Sequence, residues 1–140
     1  GEKGLKYTYH KGLFRTVDDI PESDVVKEGV ADQTEMVPDI VESGQFGFAF
    51  SGYFKAEEEG LYHFHLTSDD GSKMLLNGET LIDNDGLHTA QTVTEPVALR
   101  KGYYEVKILF SEGGGGYTLN LEAEYPDGSR KELTPQDFEL

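Results

Sequence analysis

The chain has no cysteine among its 140 residues. Disulfides and thiolate–metal chemistry are therefore excluded, and the core must hold by packing. At this length a single domain, residues 1–140, is expected. It can bury roughly 68–70% of its unfolded surface, so no covalent staple is needed. Positive charge is scarce: 12 Lys and Arg stand against 27 Asp and Glu, a formal net charge of −15. Such a field repels nucleic-acid phosphates and anionic membrane surfaces, and it tolerates cations and neutral ligands such as sugars. No apolar run approaches the ~20 residues of a membrane-spanning helix, so neither nucleic-acid binding nor membrane insertion is expected. No signal peptide is expected within these residues, and the chain starts at Gly1 rather than Met. This reads as a mature form or a piece of a longer protein. Helical periodicity is missing as well.

What is present is period-two alternation broken by turn residues. Leu5–Tyr9 reads as a first strand, and Pro21 and Pro38 interrupt an acidic stretch with a short strand near Val25–Ala31. Phe46, Phe48 and Phe50 then alternate with small residues, and Gly52 suggests a bulge. Tyr62, Phe64 and Leu66 share one face, with His63, His65 and Thr67 on the other. Asn77-Gly78 is a strong hairpin signal because both residues tolerate positive φ. Thr89–Glu95 reads as a strand ended by Pro96, and Tyr104–Phe110 and Tyr117–Tyr125 alternate on either side of Gly113–Gly116. Many short strands with regular turns predict an all-β fold, an antiparallel sandwich or barrel.

Few residues carry chemistry. Asp69 and Asp70 sit together at a strand end, followed at once by Gly71. One reading is a turn whose carboxylate accepts backbone N–H bonds. The other is a calcium site, in which a cis Asp69-Asp70 peptide turns both carboxylates onto one ion and further oxygens come from another loop. Asp83-Asn84-Asp85-Gly86 fails the spacing of the helix–loop–helix calcium motif and reads as a turn. His63 and His65 lack an evident third metal ligand, and His88 is weaker still. Gly113–Gly116 is no phosphate cradle, because Tyr117 and a strand follow where Lys, Ser/Thr and a helix are needed; without side chains it lets a ligand approach the backbone. No paired catalytic carboxylates, nucleophile elbow or nucleophile–His–acid pattern marks an enzyme.

The segment Gly60–Ser72, with Leu75-Leu76-Asn77-Gly78, Leu81–His88, Val97–Tyr104 and Val106–Leu121, resembles the domain family named after the anthrax protective antigen. Within that family the chain looks most like modules attached to bacterial glycoside hydrolases, notably β-N-acetylhexosaminidases. The resemblance implies a β-sandwich with jelly-roll-like character, found in secreted or periplasmic glycosidases, adhesins and toxins. In the adhesin branch the paired aspartates, joined by a cis bond, hold calcium that contacts sugar hydroxyls. A further asparagine ligand comes from the loop after the strand that ends near Phe110; this chain has Glu112 there. The metal ligands implied are Asp69, Asp70 and Glu112, and Gly113 and Gly114 join them as carbohydrate contacts. The expected function is a non-catalytic carbohydrate-binding module of a glycoside hydrolase, with calcium as its cofactor and a glycan and a catalytic domain as partners. The alternative is a structural module that packs on a catalytic domain and binds nothing small.

Overall fold

The computed structural model of the protein describes residues 1–42 and 44–140. Its strands are β1 (Leu5–Lys11), β2 (Lys27–Ala31), β3 (Phe46–Ala56), β4 (Gly60–Asp69), β5 (Gly71–Leu76), β6 (Glu79–Asn84), β7 (Gln91–Leu99), β8 (Gly102–Glu112), β9 (Thr118–Glu124) and β10 (Arg130–Leu133). A six-stranded sheet has the order β2-β1-β3-β8-β5-β6, and a four-stranded sheet the order β10-β9-β4-β7. Every pairing is antiparallel. Of the antiparallel sandwich or barrel expected from the alternation, the sandwich is the fold observed.

Alternation decides which side chains meet between the sheets. Phe46, Phe48, Phe50 and Phe54 of β3 and Val106, Ile108 and Phe110 of β8 face inward, against Tyr62, Phe64 and Leu66 of β4 and Leu121 and Ala123 of β9; all are buried. Phe48 and Phe50 stack at 5.3 Å between ring centroids, and Phe54 meets Phe64 edge-on at 5.5 Å. Each such side chain contributes about 1.5–3 kcal/mol on burial.

Asn77 (φ 49°) and Gly78 (φ 83°) form the β5–β6 hairpin as the dipeptide requires. Three expectations need correction. The β3–β8 register runs unbroken through Gly52↔Val106, so Gly52 is no bulge; the register shift lies at Met74/Leu75, against β6. Glycine is needed at 52 because a Cβ there would stand 2.8 Å from Leu5 Cδ2 and 3.1 Å from the Glu139 carbonyl oxygen. Pro96 does not end its strand: β7 runs through it to Leu99. As an edge strand paired only with β4, β7 needs no N–H at that position. Two short 3-10 turns, Val17–Asp19 and Pro135–Asp137, were not anticipated.

The sandwich has two distinct poles. At one, β4 and β8 end and β5 and β9 begin. Residues 12–26 strap the outer face of the six-stranded sheet near this pole. They are held by Asp85, which accepts from the Thr16 hydroxyl and, at 3.0 Å, from the Val17 N–H. At the other pole the chain ends lie side by side: Glu139 and Tyr53 exchange backbone bonds of 2.9 and 2.7 Å, and the Leu140 N–H donates to the Glu2 carbonyl.

The close approach at Gly52 generates a prediction. Gly52→Ala is expected to lose about 1–3 kcal/mol by overpacking. Gly116→Ala, whose Cβ would meet nothing within 4 Å, should stay within about 0.5 kcal/mol. Urea unfolding of the two variants measures both; equal midpoints would refute the packing described.

Candidate functional site

The Asp69–Asp70 peptide is cis. One oxygen from each of Asp69, Asp70 and Glu112 lies within 4.8 Å of the others. Oxygens bound to one calcium ion at about 2.4 Å can be at most about 4.8 Å apart, so the spacing admits a single ion touching all three. The three residues singled out in the sequence are thus brought together.

The glycine loop grips this cluster from one side. The Gly113 N–H donates to Asp70 Oδ2 at 2.7 Å, and the Gly114 N–H to Glu112 Oε2 at 2.9 Å. Gly114 and Gly115 reach φ of +130° and +87°, which L side chains rarely adopt. Gly113 is required for space: a Cβ would lie 3.2 Å from Asp70 Oδ2 and 3.1 Å from Leu87 Cδ2. These bonds use one oxygen of each carboxylate and leave the other.

Glu112 carries the strongest signal. It is 0% exposed, and its Oε1 is buried with no hydrogen-bond partner. Burial pushes its pKa up to about 7, opposed by the backbone N–H groups of Gly114 and Asp70 and reinforced by the charges of Asp70 and Asp69. Among the described residues, none of the ion pairs involves any of the three carboxylates. An all-oxygen set with a buried unpartnered carboxylate oxygen fits a hard divalent cation.

Beneath the cluster the core turns polar. Ser68, Ser72, Ser111 and Asn84 are buried. The Ser68 and Ser72 hydroxyls bond each other at 2.6 Å, and the Asn84 amide donates to the carbonyls of Leu66 at 3.0 Å and Gln91 at 2.8 Å. The sequence reading missed this layer, although Ser68 continues the inward parity of Phe64 and Leu66. Around the cluster, Leu13, Leu87 and Tyr117 form an exposed apolar rim. Tyr117 stands edge-on to Phe46 at 5.3 Å, an aromatic at the loop end that the alternation had assigned to a strand.

The remaining candidates resolve simply. Asp83-Asn84-Asp85-Gly86 is a turn: Asp83 caps the Asp85 N–H, and Asp85 holds the strap. His63 Nδ1 faces Glu124 at 3.4 Å and His65 Nδ1 faces the Thr94 hydroxyl at 2.6 Å, on the outer face of the four-stranded sheet. His88 Nε2 and Nδ1 lie 2.8 and 2.7 Å from the carbonyl oxygens of Asn84 and Thr89. Carbonyls only accept, so both contacts are hydrogen bonds at once only when the ring is protonated. Burial alone would lower the His88 pKa, but the two carbonyls, with Asp70 and Asp69, raise it. His88 is thereby a prop of the 84–89 loop and no metal ligand.

The PA14 domain model matches residues 1–137, and the chain belongs to the PA14 domain family. Among curated protein sequences no match is found. Several solved structures share the fold. The PA14 sugar-binding domain from an RTX adhesin is 18% identical with a TM-score of 0.79, over 99% of each chain. A subtype-switched Epithelial Adhesin 9 to 1 A domain from Candida glabrata, in complex with beta-lactose, is 13% identical with a TM-score of 0.73, over 95% of this chain and 86% of that one. A beta-glucosidase from Kluyveromyces marxianus, in complex with glucose, is 18% identical with a TM-score of 0.64, over 84% of this chain but only 15% of the enzyme.

The raised Glu112 pKa sets a pH dependence. The unfolded chain loses this proton near pH 4.5 and the folded chain near 7. Between these values the folded state holds more protons, so stability falls as pH rises. In EDTA, the stability of Glu112→Gln minus that of the parent should be flat below pH 4.5, grow up to pH 7 and then level off. A flat difference throughout, read by urea unfolding, would contradict the buried geometry of Glu112.

Proposed function

We propose that this PA14 domain is a non-catalytic carbohydrate-binding module whose site is completed by calcium, and that it serves as an accessory module of a secreted or periplasmic bacterial glycoside hydrolase. The observation that carries the reading is the cluster of Asp69, Asp70 and Glu112 within 4.8 Å, with Glu112 Oε1 buried and unpartnered. Three carboxylates held together with no lysine or arginine among them repel one another and call for a counter-cation.

Asp69, Asp70 and Glu112 would hold the ion with their free oxygens. Bound calcium takes six to eight oxygens, so it has positions to offer vicinal sugar hydroxyls. Gly113 and Gly114 fix the carboxylates with their N–H groups and, lacking side chains, let a ring approach the backbone. Leu13, Leu87 and Tyr117 give the C–H faces of that ring an apolar wall. The adhesin neighbours, one a sugar-binding domain and one in complex with beta-lactose, support the ligand class. The beta-glucosidase neighbour supports the glycosidase setting. At a net charge of −15, a neutral glycan suits the module better than an acidic one.

Calcium at a hundredfold excess over its Kd should stabilise the chain by about 2.7 kcal/mol, a rise of roughly 9 °C in Tm for a domain of this size. Asp70→Asn and Glu112→Gln should abolish that rise. Isothermal titration with beta-lactose and with glucose should show binding in calcium that EDTA removes. No change in Tm at millimolar calcium would sink the proposal.

A further inference from the structure

A second surface, remote from the cation cluster, has the make-up of a ligand site. On the outer face of the six-stranded sheet lies an open groove of about 980 Å³, within the size range of ligand sites. Register fixes its floor. Lys6, Ser51 and Lys107 are directly paired across β1, β3 and β8, as are Thr8, Ala49 and Leu109 one row on. Strands lie about 4.8 Å apart, so the two lysines stand about 10 Å from one another with only the small Ser51 between them. Neither lysine makes an ion pair among the described residues. The strap closes the end toward the cation pole with Ile20 and Pro21. Toward the other pole the same face continues to Tyr53 and Tyr103, 42% and 54% exposed. These lie diagonally on β3 and β8, because Tyr53 pairs with Glu105 and Lys55 with Tyr103.

Charge selects the occupant. Two lysines are outnumbered by Asp18, Glu22, Glu28 and Glu105 around the groove, in a molecule already at −15. An acidic polymer is repelled. A neutral chain dense in hydroxyls is not: it accepts from the lysines and donates to the glutamates. Its flat C–H faces find the exposed tyrosines, whose rings combine apolar area with a polar tip. We infer that this face is a second carbohydrate-binding surface, independent of calcium, for a neutral polysaccharide chain running from the strap across the Lys6–Ser51–Lys107 row to Tyr53 and Tyr103.

The test is NMR on the ¹⁵N-labelled chain in EDTA, which keeps the cation site out of play. The probes are cellohexaose, laminarihexaose and mannohexaose, with oligogalacturonate as the acidic control. At least one neutral hexaose should shift amides of Lys6, Ser51, Tyr53, Tyr103 and Lys107, leaving 69–70 and 112–116 unmoved. The pair of exposed substitutions Tyr103→Ala and Lys107→Ala should weaken that binding at least tenfold, while the calcium-induced rise in Tm is retained. Shifts from no neutral probe, shifts confined to the cation pole, or stronger shifts with oligogalacturonate would each overturn the inference. A failure here leaves the calcium response intact, so the two proposals fail separately.

Discussion

The pairing of β3 with β8 is the constraint on which the rest of the molecule depends. Its register runs from Phe46↔Glu112 to Ala56↔Gly102 without interruption. Sheet side chains alternate, so a slip of one residue would turn the inner set outward. Phe48 and Phe50 if β3 slipped, or Ile108 and Phe110 if β8 did, would meet water, and Ser51 or Lys107 would enter the core. The cost of that exchange is several times about 1.5–3 kcal/mol per large apolar side chain, which holds the register firmly. The same register places Glu112, an inward position at the last rung, beneath the pole where Asp69 and Asp70 turn.

Glu112 is therefore a carboxylate that the core's own periodicity buries. A charge without a partner in such a place is costly unless it is neutralised or paired. The chain has both routes: a proton, with the pKa pushed up to about 7, or a cation shared with Asp69 and Asp70. The Gly113 and Gly114 N–H groups relieve part of the cost and fix where the remaining oxygens lie. The polar layer of Ser68, Ser72 and Asn84 belongs to the same arrangement. It replaces greasy packing with hydrogen bonds where charge has to be accommodated.

Much of this was legible in the residues. Alternation in Phe46–Phe54, Gly60–Leu66 and Tyr104–Phe110 gave the sandwich, and Asn77-Gly78 gave its hairpin. Asp69 and Asp70 stood out in the residues and Glu112 in the family resemblance, and the fold brings these three carboxylates together. The burial of Glu112 was readable too, since it continues the parity of Val106, Ile108 and Phe110. What local pattern does not carry is the approach of distant segments. Gly52 resembled a bulge because a glycine in a strand has several causes, and here the cause is the close approach of Leu5 and of the C-terminal Glu139. Pro96 resembled a strand end because its edge position depends on the order of strands across the sheet. The strap over the outer face depends on Asp85, some 70 residues from the Thr16 and Val17 it holds.

The placement of the chain ends ties the two proposed surfaces together. Gly1 and Leu140 sit at the pole opposite the cation cluster, where Leu140 bonds Glu2 and Glu139 pairs with Tyr53. Polypeptide continuing from either end would leave beside the Tyr53 end of the groove, and the cation pole would project away from it. A glycan lying along the groove would thus run from the side of any attached domain up to the strap, which stands between it and the pole where Asp69, Asp70 and Glu112 are gathered. A polymer long enough to pass over the strap and engage both surfaces would gain avidity set by the distance between them. Rigidity comes from the β3–β8 ladder, whose outer residues floor the groove and whose last rung is Glu112. One element thereby sets the distance between the two surfaces.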